Sequence, residues 1–105
     1  MILIKTEDRK SFSQYHYDNG AVITHFYTST IYFHNRVRVM YEKAHKQFTY
    51  TTVHSRDFAY LQEEMMPLPD FTLCGEDQLF QYSLLYDVDV LLPIQMEIKE
   101  INKSR

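Results

Sequence analysis

With 105 residues, 45% hydrophobic and 24% charged, the chain can bury a core as a single domain over residues 1–105, and it is too apolar to be disordered. A net charge of −3 argues against a general polyanion binder, and a lone cysteine, Cys74, leaves no internal disulfide. The charge is uneven: residues 1–58 carry a net +3 and residues 59–105 a net −6, which predicts faces of opposite sign or two halves that neutralise each other.

The opening MILIKTEDRK has four apolar residues before charge begins, so it does not read as a signal peptide. No apolar run approaches the ~20 residues of a membrane helix. The expected location is cytoplasmic, with no membrane partner.

Asp18-Asn19-Gly20 is the strongest turn signal. Asn-Gly between β-rich runs predicts a two-residue hairpin joining strands at about 11–18 and 21–28, with paired positions summing to 39. That register puts His16, Ile23 and His25 on one face, and Tyr15, Tyr17, Val22, Thr24 and Phe26 on the other. Residues 29–53 read as a three-stranded meander. A three-residue loop at His34-Asn35-Arg36 and a four-residue loop at Lys43–Lys46 place Ile31, Phe33, Val37, Val39, Tyr41, Phe48 and Tyr50 on one face. Tyr32, Arg36, Arg38 and Met40 then point the other way, as on a half-solvated sheet.

Ser55 as cap, Asp57 in the first turn and Phe58, Leu61 and Met65 at helical spacing predict the main helix at about 56–65, stopped by Pro67. An irregular connection follows, with a turn at Cys74-Gly75. From Phe80 to Ile98 every even position is apolar or aromatic. This period of two predicts one long bent strand over about 79–98, or two strands joined near Pro93. The predicted class is α+β: a bent antiparallel sheet of about six or seven strands, open or a half-barrel, with one main helix.

No constellation carries catalysis or binds a cofactor. His16 and His25 share a face in the predicted register, but a zinc site needs three or four ligands. Cys74 lacks the local signature of a nucleophile. Asp87 and Asp89, two apart on a predicted strand, read as a solvated face. No phosphate loop, dinucleotide fingerprint or nucleophile elbow is present.

Two surfaces stand out. One is acidic, with Asp70, Glu76, Asp77, Asp87, Asp89 and Glu97, and adjoins a Pro-bounded loop carrying Met65, Met66, Leu68 and Phe71. Methionines, aromatics and complementary charge suit a protein interface. The other is a sheet face of Tyr32, Arg36 and Arg38 flanked by Lys43 and Lys46, which suits base stacking and phosphate neutralisation. The leading expectation is a non-enzymatic interaction module, monomer or homodimer. It would be a small inhibitor or regulator of the viral accessory type by analogy, acting on a protein partner, for instance one that handles nucleic acid. Single-stranded nucleic-acid binding is the alternative, followed by a small ligand held between sheet and helix.

Overall fold

The computed structural model describes residues 1–53 and 63–103. Seven antiparallel strands come first: β1 (Leu3–Asp8), β2 (Phe12–Tyr17), β3 (Val22–Phe26), β4 (Ser29–His34), β5 (Val37–Glu42), β6 (Gln47–Val53) and β7 (Glu63–Leu68). Each is hydrogen-bonded to its chain neighbours, so among the described residues β1 and β7 are the two edges. A 3-10 turn at Phe71–Leu73 and two helices, α1 (Glu76–Ser83) and α2 (Val88–Lys103), complete the chain. The class is α+β with an open antiparallel sheet, as patterning predicts. Two compact units are present, residues 1–68 and 69–105. Among the described residues, no helix is long and apolar enough to cross a membrane.

The strands of the first hairpin form where predicted, but one residue out of register. Tyr15 pairs with Ile23 and Phe12 with Phe26, a sum of 38. The loop holds three residues: the Gly20 N–H donates to the Tyr17 carbonyl, and the Tyr17 N–H to the Ala21 carbonyl. Gly20 supplies the left-handed residue of this loop at φ 86°. Because side chains alternate, the slip turns all of β3 over. His25 joins Ser13 and Tyr15, while His16 stays on the opposite face with Val22.

A second slip turns β4 over. His34 pairs with Val37, so the β4–β5 loop is only Asn35-Arg36, with φ 47° and 67°. Positive φ at both central residues is what a two-residue type I′ turn requires. Tyr32 therefore pairs with Val39 on the buried face, and Ile31 and Phe33 lie on the other face with Met40 and Arg38. The β5–β6 hairpin matches prediction: Lys43–Lys46 is a four-residue loop, with Tyr41 opposite Phe48 and Val39 opposite Tyr50. Tyr17, Ile23, Tyr32, Val39, Phe48 and Leu68 are buried, together with Ser13, His25 and Thr30. The His25 ring Nδ1 meets the Thr30 hydroxyl at 2.9 Å, which gives this buried imidazole a polar partner.

Most of the helix predicted at 56–65 falls on residues 54–62, outside the described residues. Positions 63–65 are strand: Met65 pairs with Thr51, and Pro67, predicted as the helix stop, pairs with Thr49 inside β7. Proline is accepted there because β7 is an edge strand and needs no outward N–H.

The strand predicted over 79–98 is helical instead. In α2 the buried residues are Val88, Leu91, Ile94, Gln95, Ile98 and Ile101, a stripe at three- and four-residue spacing. Asp89 lies in its first turn and Lys103 in its last, matching the macrodipole. Pro93 sits inside the helix, where a missing N–H removes one intrahelical bond.

Candidate functional site

The helical unit is built around the 3-10 turn. The Phe71 ring is buried, with its centroid 5.6 Å from that of Tyr82 and 5.9 Å from that of Tyr86. Tyr82 and Tyr86 are four apart and face each other at 6.4 Å, closing an aromatic triad. Gln95, fully buried, spans the base of the turn. Its Oε1 accepts from the Phe71 N–H at 2.8 Å, and its Nε2 donates to the Pro69 carbonyl at 2.9 Å. One turn further along α2, the Lys99 ammonium reaches Asp70 Oδ2 at 2.6 Å. Asp70 Oδ1 caps the turn, accepting from the Thr72 N–H at 3.1 Å and the Thr72 hydroxyl at 2.6 Å.

Burial pushes the Asp70 carboxyl up, but the Lys99 ammonium and the Thr72 donors outweigh it and hold the carboxyl below its ordinary value. A carboxyl depressed on folding adds stability that is complete above the unfolded-state pKa of about 4 and is lost as pH falls through the lower folded value. Chemical denaturation from neutral pH down to strong acid should show stability falling more steeply below about pH 4 for the parent chain than for Asp70→Asn. Parallel curves would show that the Lys99 pair contributes nothing to folding.

α1 has two apolar faces. Leu79 and Tyr82 are half-buried and point inward, and none of its residues is fully buried. The other face carries Asp77, Phe80 and Gln81, and Leu84, the C-cap, and Leu85, in the turn after it, continue the i+7, i+8 spacing past the helix end. On it Phe80, Leu84 and Leu85 are 70%, 74% and 78% exposed. Leu73, just before the helix, is exposed as well.

The residues predicted as an acidic surface divide. Asp70 is engaged by Lys99 inside the unit. Glu76 and Asp77 are exposed in the first turn of α1, where the helix dipole favours them. Asp87 and Asp89 are exposed at the start of α2. Asp87 precedes α2 and Asp89 lies in its first turn, so the shared strand face predicted for the pair does not form. Glu97 is half-buried in α2. The predicted docking loop is dismantled: Met65 and Met66 are in β7, Leu68 is a buried strand residue, and Phe71 is the centre of the triad. Met66 alone of the four is exposed at the surface among side chains described.

The predicted basic sheet face is not assembled either. Burial lifts the Tyr32 hydroxyl above its ordinary pKa, and Arg38 stands on the opposite side of the sheet from it. Arg36 is at the tip of the β4–β5 turn, whereas Lys43 and Lys46 are in the loop at the other end of β5. Six strand residues separate those ends by about 20 Å. Among the described residues, no three of His, Cys, Asp and Glu converge as metal ligands. The pocket expected between the sheet and a helix at 56–65 falls on residues outside those described.

Compared with protein-family models, curated proteins and solved structures, the chain matches none of them. Its function has to be read from its own surfaces.

Patterning could have found the exposed α1 face. Phe80, Leu84 and Leu85 fit helical spacing as well as they fit alternation, with Glu76 and Asp77 supplying acids for a first turn. What no local signal reveals is that Tyr82 packs on Phe71 while the other three stay outside.

Proposed function

We propose that this chain is a non-enzymatic protein-interaction module, a small inhibitor or regulator whose docking element is the outward face of α1. The observation that carries the reading is the exposure of Phe80 on α1 and of Leu84 and Leu85 in the turn that ends it, beside Tyr82, which packs on Phe71. Contiguous exposed apolar side chains with a polar rim mark protein interfaces. A single amphipathic helix presenting i and i+4 anchors is the form that fits an apolar groove.

The rim argues for the chemistry of the partner. The exposed acids of residues 70–98 are Glu76, Asp77, Asp87 and Asp89, Asp70 being paired with Lys99 and Glu97 half-buried, and the segment holds no Lys, Arg or His. The partner is therefore a protein whose apolar groove is bordered by Lys or Arg, a charge pattern common in proteins that handle nucleic acid.

The test is affinity capture from host lysate with the full tagged chain, nuclease-treated, beside Phe80→Glu/Leu84→Glu. Both sites are exposed, so the variant should keep the parent's circular dichroism spectrum. A partner bound through this face should lose about 30-fold or more in affinity with the variant, as interface anchors do, and should keep its affinity for Arg36→Glu. A captured protein that both variants hold equally would sink the proposal. So would a concentration-dependent dimer that the α1 variant dissolves, since the face would then be covered by a second copy.

A further inference from the structure

The meander alternates its connections, so the β1–β2, β3–β4 and β5–β6 loops gather at one end of the sheet. These loops are residues 9–11, 27–28 and 43–46. Between them they hold Arg9, Lys10, Lys43 and Lys46 and no acid. Among the described residues Lys10, Lys43 and Lys46 form no ion pair, and Arg9 makes only a loose one, 3.8 Å from Glu7. The neighbouring acids are engaged: Glu7 by Lys5 at 2.7 Å, Asp8 by the Ser13 hydroxyl at 2.6 Å, and Glu42 by His45 Nδ1 at 2.6 Å.

Tyr27 stands in the middle loop and is 91% exposed. The Lys43 N–H donates to the Thr28 carbonyl at 3.1 Å, which ties the second loop to the third. Tyr27, Thr28, Lys43 and Ala44 line a shallow cleft between them. Successive loops at this end lie two strands apart, about 9–10 Å, so the cations are spread over about 20 Å with an aromatic ring between them.

We propose that this loop end binds single-stranded nucleic acid, with Arg9, Lys10, Lys43 and Lys46 on phosphates and Tyr27 stacked on a base. Spaced cations beside an exposed ring are the two elements of sequence-tolerant single-strand binding. A lipid surface is the poorer fit. Apart from Tyr27, Ala44 is the only apolar residue in these loops, whereas an interfacial anchor inserts an apolar stripe. The site lies on the sheet and does not depend on the α1 reading.

The test is fluorescence anisotropy of the full chain with labelled oligo-dT and oligo-rU of about 12 nucleotides, over about 50–200 mM salt. Three or four phosphate contacts give a slope of about −2 to −3 in log affinity against log salt. Lys43→Gln/Lys46→Asn should reduce that slope by about 1.4 and weaken binding about 25-fold near 0.1 M salt. Asn suits position 46, where φ is 49°. Tyr27→Ala should weaken binding about tenfold and leave the slope unchanged. Arg36→Glu at the opposite end should change neither. No binding at the lowest salt overturns the proposal. So does an equal loss with Arg36→Glu, or binding to phosphatidylserine vesicles without binding to either oligonucleotide.

Discussion

Phe71→Ala should cost about 3–5 kcal/mol, the range for removing a buried aromatic side chain. The ring touches both tyrosines of the triad, and its removal leaves a cavity beside them. Tyr82 and Tyr86 would still face each other but would lose the surface on which both rest. Hydrogen exchange of the α2 amides measures the loss where it occurs, because opening is read amide by amide. Near-ultraviolet dichroism should fall in parallel as the tyrosine environments average. A loss below about 1 kcal/mol would mean that the unit is held by the α2 stripe and not by the triad.

Gln95→Leu should cost about 2–5 kcal/mol, although it replaces a buried polar side chain with an apolar one of similar size. Two backbone groups depend on that side chain, the Phe71 N–H and the Pro69 carbonyl. Leaving a buried donor or acceptor without a partner costs about 1–3 kcal/mol each. Ordinary hydrophobic reasoning predicts the opposite sign, so urea unfolding of this one variant separates the two accounts. If Gln95→Leu proves neutral or stabilising, water reaches the turn and the clamp is not structural. The loss should also not add simply to that of Phe71→Ala, because both act on one turn.

Strand positions were legible because β-rich runs and turn residues mark them directly. Register was legible only where the loop was. Lys43–Lys46 gave β5–β6 correctly. Asn-Gly at 19–20 and Asn35-Arg36 each admit loops that differ by one residue, and each one-residue difference turned a strand over. That error carried into function: it joined His16 to His25 and Tyr32 to Arg38, pairs that the sheet holds apart.

Residues 79–98 misled for a different reason. The segment is so rich in apolar residues that alternation and helical spacing are both satisfied, and Pro93 suggested a strand break. The acids near 87–89 and the lysines at 99 and 103 are the charge layout of a helix, which the periodicity obscured. Gln95 had no signal at all, since its importance comes from two backbone groups about 25 residues earlier.

The strictly sequential strand order bears on how the sheet is made. In every pair of neighbouring strands the partners are close in the chain, and the widest separation, Phe48 with Leu68, spans 20 residues. Loop closure on that scale is fast, and contacts this local favour rapid assembly. During synthesis each strand leaves the ribosome just after the strand it pairs with. The sheet therefore lengthens by one strand at a time, its growing margin always the most recent strand, and no part of it waits for a distant segment to be translated.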